Sequence, residues 1–341
     1  MSIVHWAKLR GLATARVLGV HRALHRAGRH RLLVLCYHSV VEDARRWDGY
    51  RARLAVGLAE FRQQLEFVLR HFHPIAADDL LEFLAGRRPL PPHPVLITFD
   101  DGLRNNLTHA APLLERLGVP ALVFVTSGLI GGRELLWTHE LDERILQWPG
   151  DRCPLPAQLP AVRLPAGSAR WRVAAQAGAQ CKRMPDDARR AYLAALREQS
   201  TVCISDRLRE LYELLSWDEV RALQARGFAI GAHTVDHPIL TRLAPAALAH
   251  QLAHSKQTIE TQLGTACPWV AYPNGGSADC SAEVFRAAAA AGYQAGFVLS
   301  PRRNAARPDA LGVRRLCVMG GMPRESFRAR VCGLRGLDSD G

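Results

Sequence analysis

Short apolar, β-rich runs recur along the chain, and a stretch with helical periodicity follows most of them. The first run is Arg31-Leu32-Leu33-Val34-Leu35-Cys36-Tyr37-His38, the second Val95–Phe99 and the third Val119–Val125. Phe228–Ala232, Trp269–Tyr272 and Gln294–Leu299 continue the series, with a late strand expected at Leu316–Met319. Helical spacing covers 58–72, 77–85, 106–117, 217–226, 245–263 and 281–291. Strands separated by such helices cannot pair as tight hairpins. They need crossover connections and therefore a parallel sheet, open or closed into a barrel. In either form, chemistry collects at the C-terminal ends of the strands.

The series is interrupted once. From about 131 to 215 proline and arginine become frequent, over 149–165 above all, and helical segments follow at about 168–179 and 186–213. This reads as a mainly helical insertion within a domain spanning 31–330. A tail at 331–341 is expected to fray. Length permits this: 341 residues suffice for one barrel-sized core. Eight cysteines without a CxxC pair read as a reduced chain, not a disulfide scaffold, most of them small buried hydrophobes.

Net charge is +12, and part of it is local. Residues 1–41 carry Lys8, Arg10, Arg16, Arg22, Arg26, Arg29 and Arg31 and no acid. Ile3, Trp6, Leu9, Ala13, Val17, Val20 and Leu24 recur at three- and four-residue spacing. A basic amphipathic helix is expected over 1–30, able to lie on an anionic membrane surface through residues 2–28 or to pack on the domain. The basic excess lacks aromatic interleaving and any nucleic-acid module, so no nucleic-acid partner is expected. With no secretory leader and no spanning segment, the expected location is the cytoplasm, or the inner face of the membrane peripherally.

Leu96-Ile97-Thr98-Phe99-Asp100-Asp101-Gly102 poses a chemical question. Two adjacent carboxylates follow a buried strand, which is costly unless something pairs with them. Other strand ends are also polar: Tyr37-His38-Ser39, His233 with His237 four residues on, and Tyr272-Pro273-Asn274-Gly275. In a parallel barrel these distant segments share one rim. Two histidines and one aspartate there make a divalent-metal set with positions left for water.

Thr98-Phe99-Asp100-Asp101-Gly102, Ala232-His233-Thr234-Val235-Asp236-His237-Pro238 and Ala271-Tyr272-Pro273-Asn274-Gly275, in that order, resemble the polysaccharide deacetylases of the NodB-like group, carbohydrate esterase family 4. The resemblance runs from residue 31 to about 320. It is strongest to bacterial members linked to exopolysaccharide and glycolipid assembly, which carry a Tyr-His strand ahead of the first motif. It implies a distorted (β/α)7-type barrel and metal-dependent hydrolysis of N-acetyl groups on an amino sugar, in a polysaccharide or a lipid-linked glycan. By the same resemblance Asp101, His233 and His237 bind a divalent metal, zinc by default with cobalt, manganese or nickel as alternatives, and Asp100 is the general base. A metal lowers the pKa of water, a carboxylate takes its proton, and an N–H donor stabilises the oxyanion. That donor is implied to be the backbone of Asn274.

Two departures from the family pattern matter. The histidine of a late Leu-x-His motif is missing, since none follows His254. Leu35-Cys36-Tyr37-His38 fills that role if the strand is moved to the front, which assigns His38 as general acid. The third motif also lacks its arginine, with Ala271 in that place, so Arg314 or Arg315 is left to orient Asp100. Tyr272 and Trp137 are candidate substrate contacts. Trp137 would stack on a sugar or else anchor the insertion, and Asp236 would orient the metal loop. Alternatives to the deacetylase are the same metal site acting on another amide or imide, and an inactive glycan-binding barrel.

Overall fold

The structure is a computed structural model and describes residues 20–156 and 158–334. Seven parallel strands follow one another around a closed barrel: β1 Leu33–Tyr37, β2 Pro94–Phe99, β3 Ala121–Val125, β4 Ala229–Ala232, β5 Trp269–Ala271, β6 Ala295–Leu299 and β7 Val313–Cys317. Closure is made by β7 on β1, with Leu35 opposite Leu316 and Cys36 opposite Cys317. The α/β barrel of seven strands is thus the expected fold. The last strand lies earlier than Leu316–Met319, because Arg314 and Arg315 mask it in the sequence.

Period-two alternation assigns every strand residue a side. Leu32, Val34, Leu96, Leu122, Phe124, Trp269, Ala271, Ala295, Phe297 and Val313 form the cluster inside the barrel, and Ile75, Ala77 and Leu80 belong to the same cluster. Leu33, Leu35, Tyr37, Val95, Ile97, Phe99, Val123 and Val125 form the core shared with the outer helices. Counting on by twos, Cys36, Thr98, Asp100, Arg315 and Cys317 all face inward near the C-terminal mouth. Gly231 is required where Phe124 fills the barrel, since a Cβ there would lie 2.6 Å from the Phe124 ring.

The β3–β4 connection holds the insertion. It contains helices Trp137–Leu146, Trp171–Cys181, Asp186–Gln199 and Asp206–Tyr212 and a hairpin of Arg152–Leu155 with Gln158–Arg163. The insertion builds its own core from Leu141, Ile145, Trp148, Cys153, Ala174, Leu193 and Leu196. The hairpin was hidden by Pro154, Pro156 and Pro160, which read as strand breakers. The helical stretch expected over 186–213 is divided at Ser200, and Ser205 caps the second piece by accepting from Leu208 N. Ser216 and Glu219 form the expected capping box on Trp217–Ala225.

At the amino end, the basic helix expected over 1–30 lies outside the described residues up to 19. Its described part, Val20–Ala27, packs on the domain. His25 stacks on His93 with ring centroids 3.8 Å apart, and burial followed by the charge of His93 lowers its imidazole to about 4. At the other end, helix Arg324–Cys332 buries Val331 and Cys332, so the expected fraying does not begin at 331. Residues 335–341 lie outside those described. No helix among the described residues is long and apolar enough to cross a membrane.

Candidate active site

Asp101, His233 and His237 meet at the barrel mouth. The Asp101 Oδ1 atom lies 3.6 Å from His233 Nε2 and 3.5 Å from His237 Nε2. All three side chains are buried, and Asp101 Oδ1 has no hydrogen-bond partner. An orphaned buried carboxylate oxygen facing two imidazole nitrogens is costly for a protein alone and is what a divalent cation would satisfy. The residues present therefore fit a metal. His233 is aimed by its other nitrogen, with Nδ1 2.7 Å from Ala271 O, an outer contact that fixes tautomer and ring orientation. Burial, then the neighbouring His233 and Lys182, holds His237 well below the usual histidine range, which keeps its lone pair free for a cation. Burial pushes the Asp101 carboxyl up.

Backbone strain is concentrated in the same place. Five described non-glycine residues have positive φ, and four of them are Asp101 (76°), Thr234 (66°), His237 (61°) and Asn274 (61°). Each such residue costs on the order of 1–3 kcal/mol and persists only where surroundings enforce it. The enforcement is visible around the histidine loop. Ser127 N and Gly128 N donate to Thr234 O and Val235 O. Gln251 Oε1 accepts from Val235 N and Asp236 N, while its Nε2 donates to Asp236 Oδ1 at 2.6 Å. The other Asp236 oxygen pairs with Arg190. Asp236 thus braces the loop through Gln251 and Arg190. Trp137 Nε1 donates to His237 O at 2.7 Å.

Asp100 occupies a different environment. Its carboxylate is only 2% exposed and is held by both Arg315 guanidinium nitrogens, at 2.6 and 2.8 Å. Arg315 is itself fully buried, lies over the rings of Phe124 and Phe297, and also donates to Thr98 Oγ1 at 3.3 Å. Burial alone would raise the Asp100 carboxyl, but Arg315, His233 and His38 hold it well below the usual carboxylate range. Of the two arginines weighed from sequence, Arg315 faces inward and Arg314 faces solvent. Alternation along Val313–Cys317 could have separated them.

His38 stands at the end of β1 beside this pair. Asn106, in a π-helical turn, donates to its carbonyl at 2.7 Å; such turns often mark functional sites. Burial works to lower its imidazole, but a hydrogen bond with Cys317 and the charge of Asp101 outweigh that and push it up to about 9. Cys36 donates its thiol to Asp100 Oδ2 at 3.3 Å. Neither cysteine was distinguished in the sequence from a small buried hydrophobe.

The sequence profile of the polysaccharide deacetylases matches residues 87–148 and 183–296, just over half of the chain. The chain belongs to the polysaccharide deacetylase family. Among curated proteins it is similar to YxkH of Bacillus subtilis, whose name assigns it to the polysaccharide deacetylases, with 26% identity over 117 residues. That match covers 34% of this chain and 41% of YxkH. Two solved structures share the fold. IcaB from Ammonifex degensii gives a TM-score of 0.56 at 21% identity over 89% of this chain and 97% of its own. The deacetylase PplD of Streptococcus pyogenes, solved with acetate, gives 0.58 at 17% over 88% and 98%.

Within this deacetylase framework the third motif is held from two directions. Asn274 Oδ1 accepts from Lys182 Nζ at 2.7 Å, and its Nδ2 donates to Asp279 Oδ2 at 2.5 Å. Lys182 comes from residues 149–182, the segment the family profile skips. Two substrate contacts considered from sequence are corrected. Tyr272 is 1% exposed and faces the outer core, its hydroxyl donating to Leu311 O. It follows inward-facing Ala271, so alternation turns it away from the barrel mouth. Trp137 is 5% exposed, with Arg189 against its ring, and serves as the anchor of the insertion instead of an open sugar platform.

Proposed function

We propose that this chain is a metal-dependent hydrolase that removes N-acetyl groups from an amino sugar in a polysaccharide or lipid-linked glycan. The observation that carries the reading is the pairing of a buried Asp101–His233–His237 set with an Arg315-bound Asp100 at one barrel mouth. Asp101, His233 and His237 would hold the divalent ion, zinc in the first instance. Bound there, the ion supplies Lewis acidity and makes water acidic enough to serve as a nucleophile near neutrality.

The chain's own groups divide the remaining work. Asp100, kept ionised by Arg315, takes the proton from water. The Asn274 N–H, presented by a left-handed residue whose side chain is fixed at both ends, donates to the developing oxyanion. His38, protonated near neutrality, gives its proton to the departing amine. Water attack on the acetamide carbonyl breaks the C–N bond and yields acetate and the free amine. The family supports the substrate class. The basic residues 2–28 would draw the enzyme to an anionic membrane surface, which suits a lipid-linked glycan.

Acetate release from an N-acetylhexosamine oligomer and from a lipid-linked N-acetylated amino sugar tests this reading. Metal-loaded protein is expected to release acetate from at least one, and chelated protein from neither. Loaded protein that releases none from both, while turning over another amide or an imide, would overturn the sugar assignment. Deleting residues 1–28 and fractionating cells tests the anchor, and unchanged membrane association would refute it.

A further inference from the structure

A second cluster of ligand atoms lies beside the first and has different chemistry. Cys36 and Cys317 stand directly opposite one another on β1 and β7, so their side chains share one face. That face is the inner one at the mouth, and His38 lies just beyond it. The two Sγ atoms and a ring nitrogen of His38 are all within 4.8 Å of one another. Both thiols are free. Met319 Sδ is 3.7 Å from Cys317 Sγ and adds a thioether at the rim. His38 Nδ1 is buried without a hydrogen-bond partner. A tetrahedral ion with sulfur at about 2.3 Å and nitrogen at about 2.0 Å sets its ligand atoms about 3.5 Å apart, so only a modest contraction is needed. The Asp101 set offers one oxygen and two nitrogens, whereas this one offers two thiolates, an imidazole and a thioether. Soft donors of that kind select zinc, cadmium or copper(I) over magnesium, calcium and manganese.

We propose that Cys36, His38 and Cys317, with Met319 at the rim, form a second cation site specific for thiophilic metals, adjacent to and distinct from the Asp101–His233–His237 set. The exchange involves no redox step: the thiol protons and the proton that His38 carries near neutrality pass to solvent, two metal–sulfur bonds form, and the freed His38 nitrogen contributes its lone pair. A His38 nitrogen bound to the ion cannot carry the proton destined for the leaving amine. Occupancy therefore turns off proton delivery, a consequence that rests on the general-acid assignment above; the binding does not.

The test is titration of the full chain, stripped of metal and kept under a non-thiol reductant, with cadmium. Thiolate-to-cadmium charge-transfer absorption and equilibrium dialysis are read together. Wild type is expected to bind two ions per chain, one of them with the charge-transfer band. Asp101→Asn should lose one ion and keep the band. Cys36→Ser/Cys317→Ser should lose the band and keep one ion, which also shows that the variant is folded. No band in wild type, or a band that survives the double substitution, overturns the site; so does a Cys36–Cys317 disulfide in the reduced protein. Zinc-loaded enzyme reports the consequence: a second equivalent should abolish acetate release in wild type. Full activity with both sites filled would refute capture of His38 while leaving the deacetylase reading intact.

Discussion

Replacing Arg315 with methionine would remove the guanidinium that grips Asp100 and leave the carboxylate 2% exposed in an apolar barrel. Two charge-assisted hydrogen bonds, 2.6 and 2.8 Å long, disappear. Breaking a buried pair from one side costs about 3–5 kcal/mol, because the surviving charge is left without compensation. The sign of the pH dependence should also reverse. In wild type the Asp100 carboxyl lies below its unfolded value, so its contribution is fully present above about pH 4 and is lost only as pH falls through the lower folded value. Without Arg315, burial is opposed only by the charges of His233 and His38, and the folded value is expected to rise above the unfolded one. The variant then loses stability as pH rises, and mild acid relieves it. Denaturant titration of wild type, Arg315→Met, Asp100→Asn and the double variant, in mild acid and mild base, measures both effects. Asp100→Asn should recover about 2 kcal/mol or more in the Arg315→Met background, yet destabilise wild type by stranding Arg315. Additive losses with no pH reversal would refute the claim that Asp100 is ionised because of Arg315.

Three further expectations follow from the same geometry. Burial pushes the Asp101 carboxyl up, so protons compete with the metal there; metal retained after dialysis should fall as pH drops, and retention unchanged down to the denaturing range would count against Asp101 as a ligand. Trp137→Phe keeps an aromatic ring but removes the indole N–H that donates to the His237 carbonyl, so metal affinity measured against a competing chelator should weaken by about 3–10-fold, equivalent to one ordinary hydrogen bond. His38 must be protonated to act, and its imidazole is pushed up to about 9. The kcat profile should therefore hold through neutrality and fall as pH rises through that region, and a flat profile there would remove His38 from the acid role.

Much of this was legible in the sequence because it depends on short-range patterns. The alternation of β-rich runs with helical stretches specified a parallel sheet, the family resemblance implied its closure into a barrel, and the polar residues ending the runs marked one rim. Asp100, Asp101, His233 and His237 were found that way, and the structure brings them together. Arg315 was only half visible: its neighbour Arg314 has the same chemistry, and telling them apart needs the strand register. Cys36 and Cys317 could not be paired in advance, since 281 positions separate them in the sequence and only barrel closure places them opposite one another. Tyr272 was misread because being last in a strand does not mean facing inward. Helical spacing within 131–215 was legible, but Pro154, Pro156 and Pro160 concealed the hairpin there. Lys182 reaches Asn274 across a tertiary contact that no local pattern announces.

The central claim is a division of labour between adjacent aspartates, one for the metal and one for the proton. Measuring bound metal and single-turnover acetate release together, for Asp100→Asn and Asp101→Asn beside wild type, tests it most directly. Asp100→Asn should retain about one catalytic-site metal and release acetate at least 100-fold more slowly, in line with loss of a general base. Asp101→Asn should lose that metal and the activity with it. Near-normal acetate release from Asp100→Asn, or full retention of the metal by Asp101→Asn, would contradict the account.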